Sequence, residues 1–396
     1  MSDVAQDFLV STHLLFGWGA SGRTASLVQD LGTRCFIVTT AGTTHRTNLL
    51  RGLMDELELV GCACSVFDRV TPNPTVSEME EARTMALDFG ADVILGVGGG
   101  SSLDTAKAVS LGVTHGGPLW DYRIGGSRSV NGSMLPVVTV NTTAGTGSQV
   151  SPVAVFTNED THSKMAIVDR KLCPAFGVID PALTLSVPPR VTAATGFDVF
   201  AHAFESIIHV NHSPLVDRLA WDTLGLVAQY LPRAVAQGDD QAAREAMAIA
   251  DTWAGICITN VGTVLPHGIA MAVGGQVSTV MHGEALAAVY PAVLRYSCSA
   301  VVEPLARLYE ILEAALSLPL KDTLLSAVDK ARRCPDLIEL FLQRIGLPDR
   351  LSQLGLSEDL IDPIVRGTFQ LPDYRNNPRV PTHSELMQLL EASFRV

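Results

Sequence analysis

The chain has 396 residues, which at about 100–200 residues per domain suggests two domains or three. Its 28 Lys and Arg against 41 Asp and Glu leave a net charge of −13, which excludes a general affinity for nucleic-acid backbones or anionic membrane surfaces. A hydrophobic share of 47% with 17% charged residues and 33 glycines excludes a disordered chain.

Asp3 and Asp7 stand where a secretory signal needs basic residues, and no stretch reaches the roughly 18–20 apolar residues of a membrane span. A cytoplasmic protein is the expectation. The segment 34–40 reads as a strand, 47–59 as a helix, 63–68 as a strand and 75–89 as a helix. Cys62 and Cys64 lie too close for a Cys-x-x-Cys site, and the seven cysteines, odd in number and irregularly spaced, form no disulfide framework. Residues 92–97 form an apolar strand that runs into Gly98-Gly99-Gly100-Ser101-Ser102, followed by helical spacing over 103–111. A strand over 135–141 leads into a second Gly/Thr/Ser loop, 142–148, and 153–157 with 164–168 reads as a hairpin. The alternation predicts an α/β domain with a parallel, Rossmann-like sheet. Past Pro188-Pro189 only helical patterns continue, with breaks expected at Pro232, Pro304, Pro348 and Pro363. The chain therefore divides into an α/β dinucleotide-binding domain, 1–188, and an all-helical domain, 189–396. Asn131 and Asn141 open glycosylation-like tripeptides that, without a secretory signal, read as chance matches.

Three glycines between a buried strand and a helix let the backbone approach a phosphate, and the helix N-terminus offers free N–H groups. The loop fits neither GxGxxG nor the P-loop pattern, and a tight structural turn is its plain alternative. Its position at the carboxyl end of a strand, shared with loop 142–148, makes a ligand-binding edge the better reading. Asp198 and His202, four apart, share one helical face among Phe197, Val199, Phe200, Ala201, Ala203 and Phe204. A carboxylate buried there needs a partner, which favours a metal over a surface contact. His267 and His282 follow in a segment almost without charge. One Asp and three His would make a site for Fe²⁺ or Zn²⁺, the alternative being two core histidines bonded to carbonyls. The other seven histidines carry no assigned role.

Taken in order, Phe16-Gly17-Trp18-Gly19-Ala20, Pro72-Asn73-Pro74-Thr75, the 98–107 and 142–148 segments, Lys164–Asp169, Ile179–Leu185, Gly196-Phe197-Asp198 with His202, and Asn377-Pro378-Arg379 resemble the iron-containing (group III) alcohol dehydrogenases over nearly the whole chain. The resemblance implies the dehydroquinate synthase-like architecture, an NAD(P)-binding α/β domain and a helical metal-binding domain with the active site in the cleft between them. It implies Asp198, His202, His267 and His282 as metal ligands, acting in catalysis through the metal. It implies a pyrophosphate loop at Gly98, Gly99, Gly100 and Ser101, and a second cofactor loop at Thr142, Thr143 and Thr146. Lys164 is implied in the cofactor cleft, and Asp104 near the nicotinamide ribose.

Three departures from the family pattern carry consequences. Met271 stands where most relatives have a second histidine that helps proton movement, so the proton must come from water or the cofactor ribose hydroxyl. The interval from His267 to His282 is one residue longer than usual, which places an insertion in a loop over 274–280. Thr40, with Arg46 nearby, replaces the Asp that often bonds the ribose 2′-OH, which favours NADP(H) over NAD(H). The expected activity is metal-assisted hydride transfer between a nicotinamide and a small aldehyde or alcohol, in a homodimer that binds no nucleic acid and no membrane. Aliphatic aldehydes, semialdehydes and phosphonate-bearing aldehydes are all open, and Arg123, Arg190 and Arg379 are candidate partners of an acidic substrate or members of ordinary ion pairs. A lyase or cyclase similar to dehydroquinate synthase, or a non-catalytic nucleotide-binding protein, are the competing readings; the 142–148 and 164–169 motifs favour the dehydrogenase.

Overall fold

A computed structural model describes residues 7–42, 48–317 and 325–394. Arg46 and the first residue of the expected 47–59 helix lie outside them. The chain divides into two compact units, one of Val10–Leu185 and the other of residues 186–394 with 7–9.

The first unit is built on a parallel sheet of six strands: β1 (His13–Phe16), β2 (Arg34–Thr39), β3 (Ala63–Phe67), β4 (Val93–Gly98), β5 (Val137–Asn141) and β8 (Phe176–Ile179). They lie in the order β1-β8-β5-β4-β2-β3. The central strands β4 and β5 are wholly buried and mostly apolar because both their faces are covered. Ile37, Leu95, Val97, Val138, Val140 and Val178 pack on Leu27 and Val28 of α1 (Thr24–Gln29) and Leu50, Leu53 and Leu57 of α2 (Leu49–Leu59). Their neighbours Phe36, Val38, Ile94 and Val137 face Ala82 and Ala86 of α3 (Val76–Phe89) and Ala106 and Val109 of α4 (Gly100–Thr114). β6 (Val153–Asn158) and β7 (Ser163–Val168) pair as the expected antiparallel hairpin. β1 and β8 were not expected from the sequence. At four residues each, one interrupted by Gly177, they hold too little local signal and are strands because they pair, Phe16 opposite Ile179.

From Pro189 onward the described residues form helices. α5 (Pro189–Ile208) is buried almost all round. Beyond it come α6 (Pro214–Ala236), α7 (Gln241–Val261), α8 (Leu265–Gln276), α9 (His282–Ser297), α10 (Val302–Ala315), α11 (Ala327–Ile345), α12 (Ile361–Thr368), α13 (Asp373–Asn376) and α14 (His383–Phe394). Pro232 does not break a helix as expected but lies inside α6. Pro304 and Pro363 sit in first turns, where a missing N–H costs nothing. Only Pro348 falls at a break, after α11. The loop expected over 274–280 is shorter, because α8 continues to Gln276. Among the described residues, no single helix is long and apolar enough to cross a membrane.

Candidate active site

At the carboxyl edge of the parallel sheet, β4 and β5 end side by side with Gly98 opposite Asn141. This register sets the two Gly/Thr/Ser loops next to each other, and Thr142 N–H donates to the Gly98 carbonyl over 3.0 Å. Gly98 has φ +145°, a conformation that side chains rarely adopt. A Cβ on Gly100 would lie 2.5 Å from Thr146 Cγ2, and one on Gly99 would lie 3.0 Å from Thr143 Oγ1. α4 begins at Gly100 itself, and no side chain caps it. An uncapped helix start beside a bare glycine backbone fits an anionic pyrophosphate. Ser101 lies in the first turn of α4, and Thr40 follows β2 on the same edge.

Asp104 sits deeper. One carboxylate oxygen accepts from Ser148 Oγ at 2.5 Å, the other from Val155 N at 2.9 Å, and Lys107 Nζ is 3.7 Å away. Within this unit Asp104 ties α4 to the second loop and the hairpin. Lys164, nearly buried on β7, donates to Asn73 Oδ1 at 2.5 Å. Asp180 was not singled out in the sequence, yet its buried carboxylate accepts from Gly19 N, Ser21 N, Ser21 Oγ and Ala182 N. It thereby fixes the Phe16–Ala20 motif to the edge; its place directly after a strand was the available signal.

In the second unit, α5 presents Asp198, His202 and Glu205 at intervals of four and three, on one face. His267 lies in the first turn of α8, and His282 is the first residue of α9. His202, His267 and His282 place Nε2 at 3.6, 3.4 and 3.8 Å from Asp198 Oδ1. The ligand atoms of Asp198, His267 and His282 lie within 4.8 Å of one another. The His202 ring stacks on His267 with centroids 4.6 Å apart.

Asp198 Oδ1 and His267 Nε2 are buried with no hydrogen-bond partner. Orphaned atoms of this kind are costly unless something outside the chain uses them, and their convergence fits a divalent cation with mixed oxygen and nitrogen ligands. Burial raises the Asp198 pKa, but His202, His267 and His282 outweigh it and hold the carboxyl well below the usual range. Burial lowers the His267 pKa, yet Glu205 and Asp198 push it up to about 10. The pocket thus demands positive charge.

Glu205, which the sequence reading passed over, is fully buried; Oε1 accepts from His267 Nδ1 at 2.7 Å and Oε2 from Val264 N at 2.8 Å. Its position seven after Asp198 was the signal that could have found it. The three arginines considered for an acidic substrate have partners. Arg123 donates to Trp120 O and stacks over its ring, Arg190 binds both oxygens of Glu284, and Arg379 pairs with Glu385. Met271 is buried on α8, one turn beyond His267.

A sequence profile described as iron-containing alcohol dehydrogenase matches residues 11–181, and one for the C-terminal part of the same family matches residues 192–394. The chain belongs to the iron-containing alcohol dehydrogenase family. Such enzymes are oxidoreductases acting on CH–OH groups, and that is the class of this protein. It is 31% identical to the NAD-dependent methanol dehydrogenase of Bacillus methanolicus, over 97% of this chain and 99% of that one. It is also 31% identical to the 1,3-propanediol dehydrogenase of Klebsiella pneumoniae, over 98% of each. A crystal structure of an archaeal halo-thermophilic alcohol dehydrogenase from a Red Sea brine pool superposes with a TM-score of 0.93 at 29% identity, covering both chains completely.

Proposed function

We propose that this alcohol dehydrogenase interconverts a small alcohol and its aldehyde, alcohol + NAD(P)⁺ giving aldehyde + NAD(P)H + H⁺, with a divalent cation held by Asp198, His202, His267 and His282. The observation that carries the reading is the pair of buried, unpartnered atoms, Asp198 Oδ1 and His267 Nε2, aimed at one point. One carboxylate with three imidazoles suits Fe²⁺ or Zn²⁺. When bound, such an ion supplies Lewis-acid polarisation of a carbonyl oxygen, and the reduced nicotinamide supplies hydride.

The chain's own groups do the rest. Gly98, Gly99, Gly100 and Ser101 offer backbone to the pyrophosphate, with Thr142, Thr143 and Thr146 beside them and Lys164 nearby. Asp104 braces the second loop and the hairpin against α4. Met271 has no exchangeable proton, so the proton is delivered by water or the cofactor ribose hydroxyl. The Met271 thioether also makes that side of the pocket apolar, which supports short aliphatic substrates, in keeping with the methanol and 1,3-propanediol of the named relatives. Thr40 brings no carboxylate to repel a 2′-phosphate, which supports use of NADP(H) beside the NAD(H) of the methanol-oxidising relative. A cytoplasmic homodimer belongs to the same reading.

The test is an anaerobic assay of protein loaded with Fe²⁺ or Zn²⁺, following NADH and NADPH absorbance against aliphatic, carboxylated and phosphonylated short aldehydes. Metal-dependent oxidation with short aliphatic aldehydes is expected. Asp198→Ala and His267→Ala should lose bound metal together with turnover, by more than about a hundredfold, since several kcal/mol of charge stabilisation go with the ion. Silence with every aldehyde and both cofactors despite bound metal, or variants that keep metal and turnover, would overturn the reading.

A further inference from the structure

We propose that Glu205 is a positioning residue that sets the tautomer and aim of His267 and thereby the affinity and geometry of the metal pocket; this rests on the metal reading above. A carboxylate accepts hydrogen bonds and offers none, so Glu205 Oε1 at 2.7 Å holds the proton of His267 on Nδ1. Nε2 is then the nitrogen that faces the pocket, 3.4 Å from Asp198 Oδ1 with no hydrogen bond of its own, and it would give up its proton to a bound cation. The other oxygen of Glu205 accepts from Val264 N, the N-cap residue of α8, three positions before His267. One side chain therefore fixes both the imidazole and the start of the helix that carries it.

A purely structural pin could be made by a neutral acceptor. A fully buried carboxylate is a costly choice. The cost is offset if the imidazole passes its charge on to a cation, because an anionic partner on one ring nitrogen makes the other a stronger donor to metal. Asp373, a half-buried acid beside α8, accepts from Thr263 Oγ1 instead.

The experiment titrates metal-free wild type, D198A, E205Q and E205L with Co²⁺ against a chelator, recording the visible Co²⁺ spectrum at saturation and the melting of each metal-free protein. D198A should not bind. E205L should bind about 10- to 100-fold more weakly than wild type with an altered spectrum, and E205Q, which keeps one acceptor, should lie between. A structural pin alone would lower the melting temperature of the metal-free variants and leave the saturated spectrum unmoved, which would overturn the proposal. Wild-type affinity and spectrum in E205Q would overturn it as well, and E205Q decides if E205L does not fold. Wild type that binds no Co²⁺, or D198A that binds it normally, would overturn the metal reading itself, and this proposal with it.

Discussion

His209 caps the C-terminus of α5, with Nδ1 accepting from Asn211 N–H at 2.9 Å and Nε2 buried without a partner. Burial, reinforced by His212, pushes its pKa down from 6.5 to about 4. Between those values the unfolded chain binds a proton that the folded chain refuses. This residue therefore costs stability as pH falls from 6.5 toward 4, with the full penalty below 4. His209→Asn should flatten that loss, with a gain on the order of 1–2 kcal/mol over wild type at pH 4.5 relative to pH 7. Urea midpoints of the two metal-free proteins at both pH values check it; parallel curves would contradict it. No local pattern signals this burial, because His209 lies at a helix end and no periodicity reaches it. Asp198 and His202 were legible for the opposite reason, since their spacing lies inside a long apolar helix. His282 opens α9 and has no helically spaced partner, so only the nearly uncharged segment around it marked it as a candidate before the family resemblance did.

Contact between elements turns on a few glycines. A Cβ on Gly283 would lie 1.9 Å from the Ala194 carbonyl oxygen and 2.5 Å from its carbon, so α9 rests directly on the backbone of α5. Backbone does not yield as a flexible side chain does. Gly283→Ala should cost about 1–3 kcal/mol by overpacking and, because His282 is the adjacent residue, weaken metal binding too. Gly52 in α2 meets nothing within 4 Å, and Gly52→Ala should instead add about 0.4–1 kcal/mol. Denaturant midpoints give both signs in one experiment, and a neutral Gly283→Ala would show that the two helices can part. Elements whose signal is local were legible: the apolar β2 and β4, α3 with its Thr75–Glu78 capping box, and the hairpin. β1 and β8 were not, since their neighbours lie far off in sequence. Pro232 misled because α6 is long enough to tolerate the hydrogen bond it loses.

At the scale of the whole molecule, the residues proposed for the cation and those proposed for the nucleotide belong to different units, and each ligand should leave its mark where its own residues are. A cation held by Asp198, His202, His267 and His282 ties α5 to the first turns of α8 and α9, joining residues 84 positions apart. Binding only the folded state at a hundred times the dissociation constant stabilises it by about 2.7 kcal/mol. Hydrogen exchange should therefore slow on adding Zn²⁺ to the metal-free protein, most strongly at the amides of α5 near Asp198 and of the first turns of α8 and α9, and a chelator should reverse it. NADH or NADPH should instead protect residues 98–101 and 142–146. Protection by Zn²⁺ confined to the acidic surface would mean adventitious binding to a chain of charge −13. Protection at the three ligand helices alone requires a specific site, because only a bound ion shared by those side chains holds the three segments to one another.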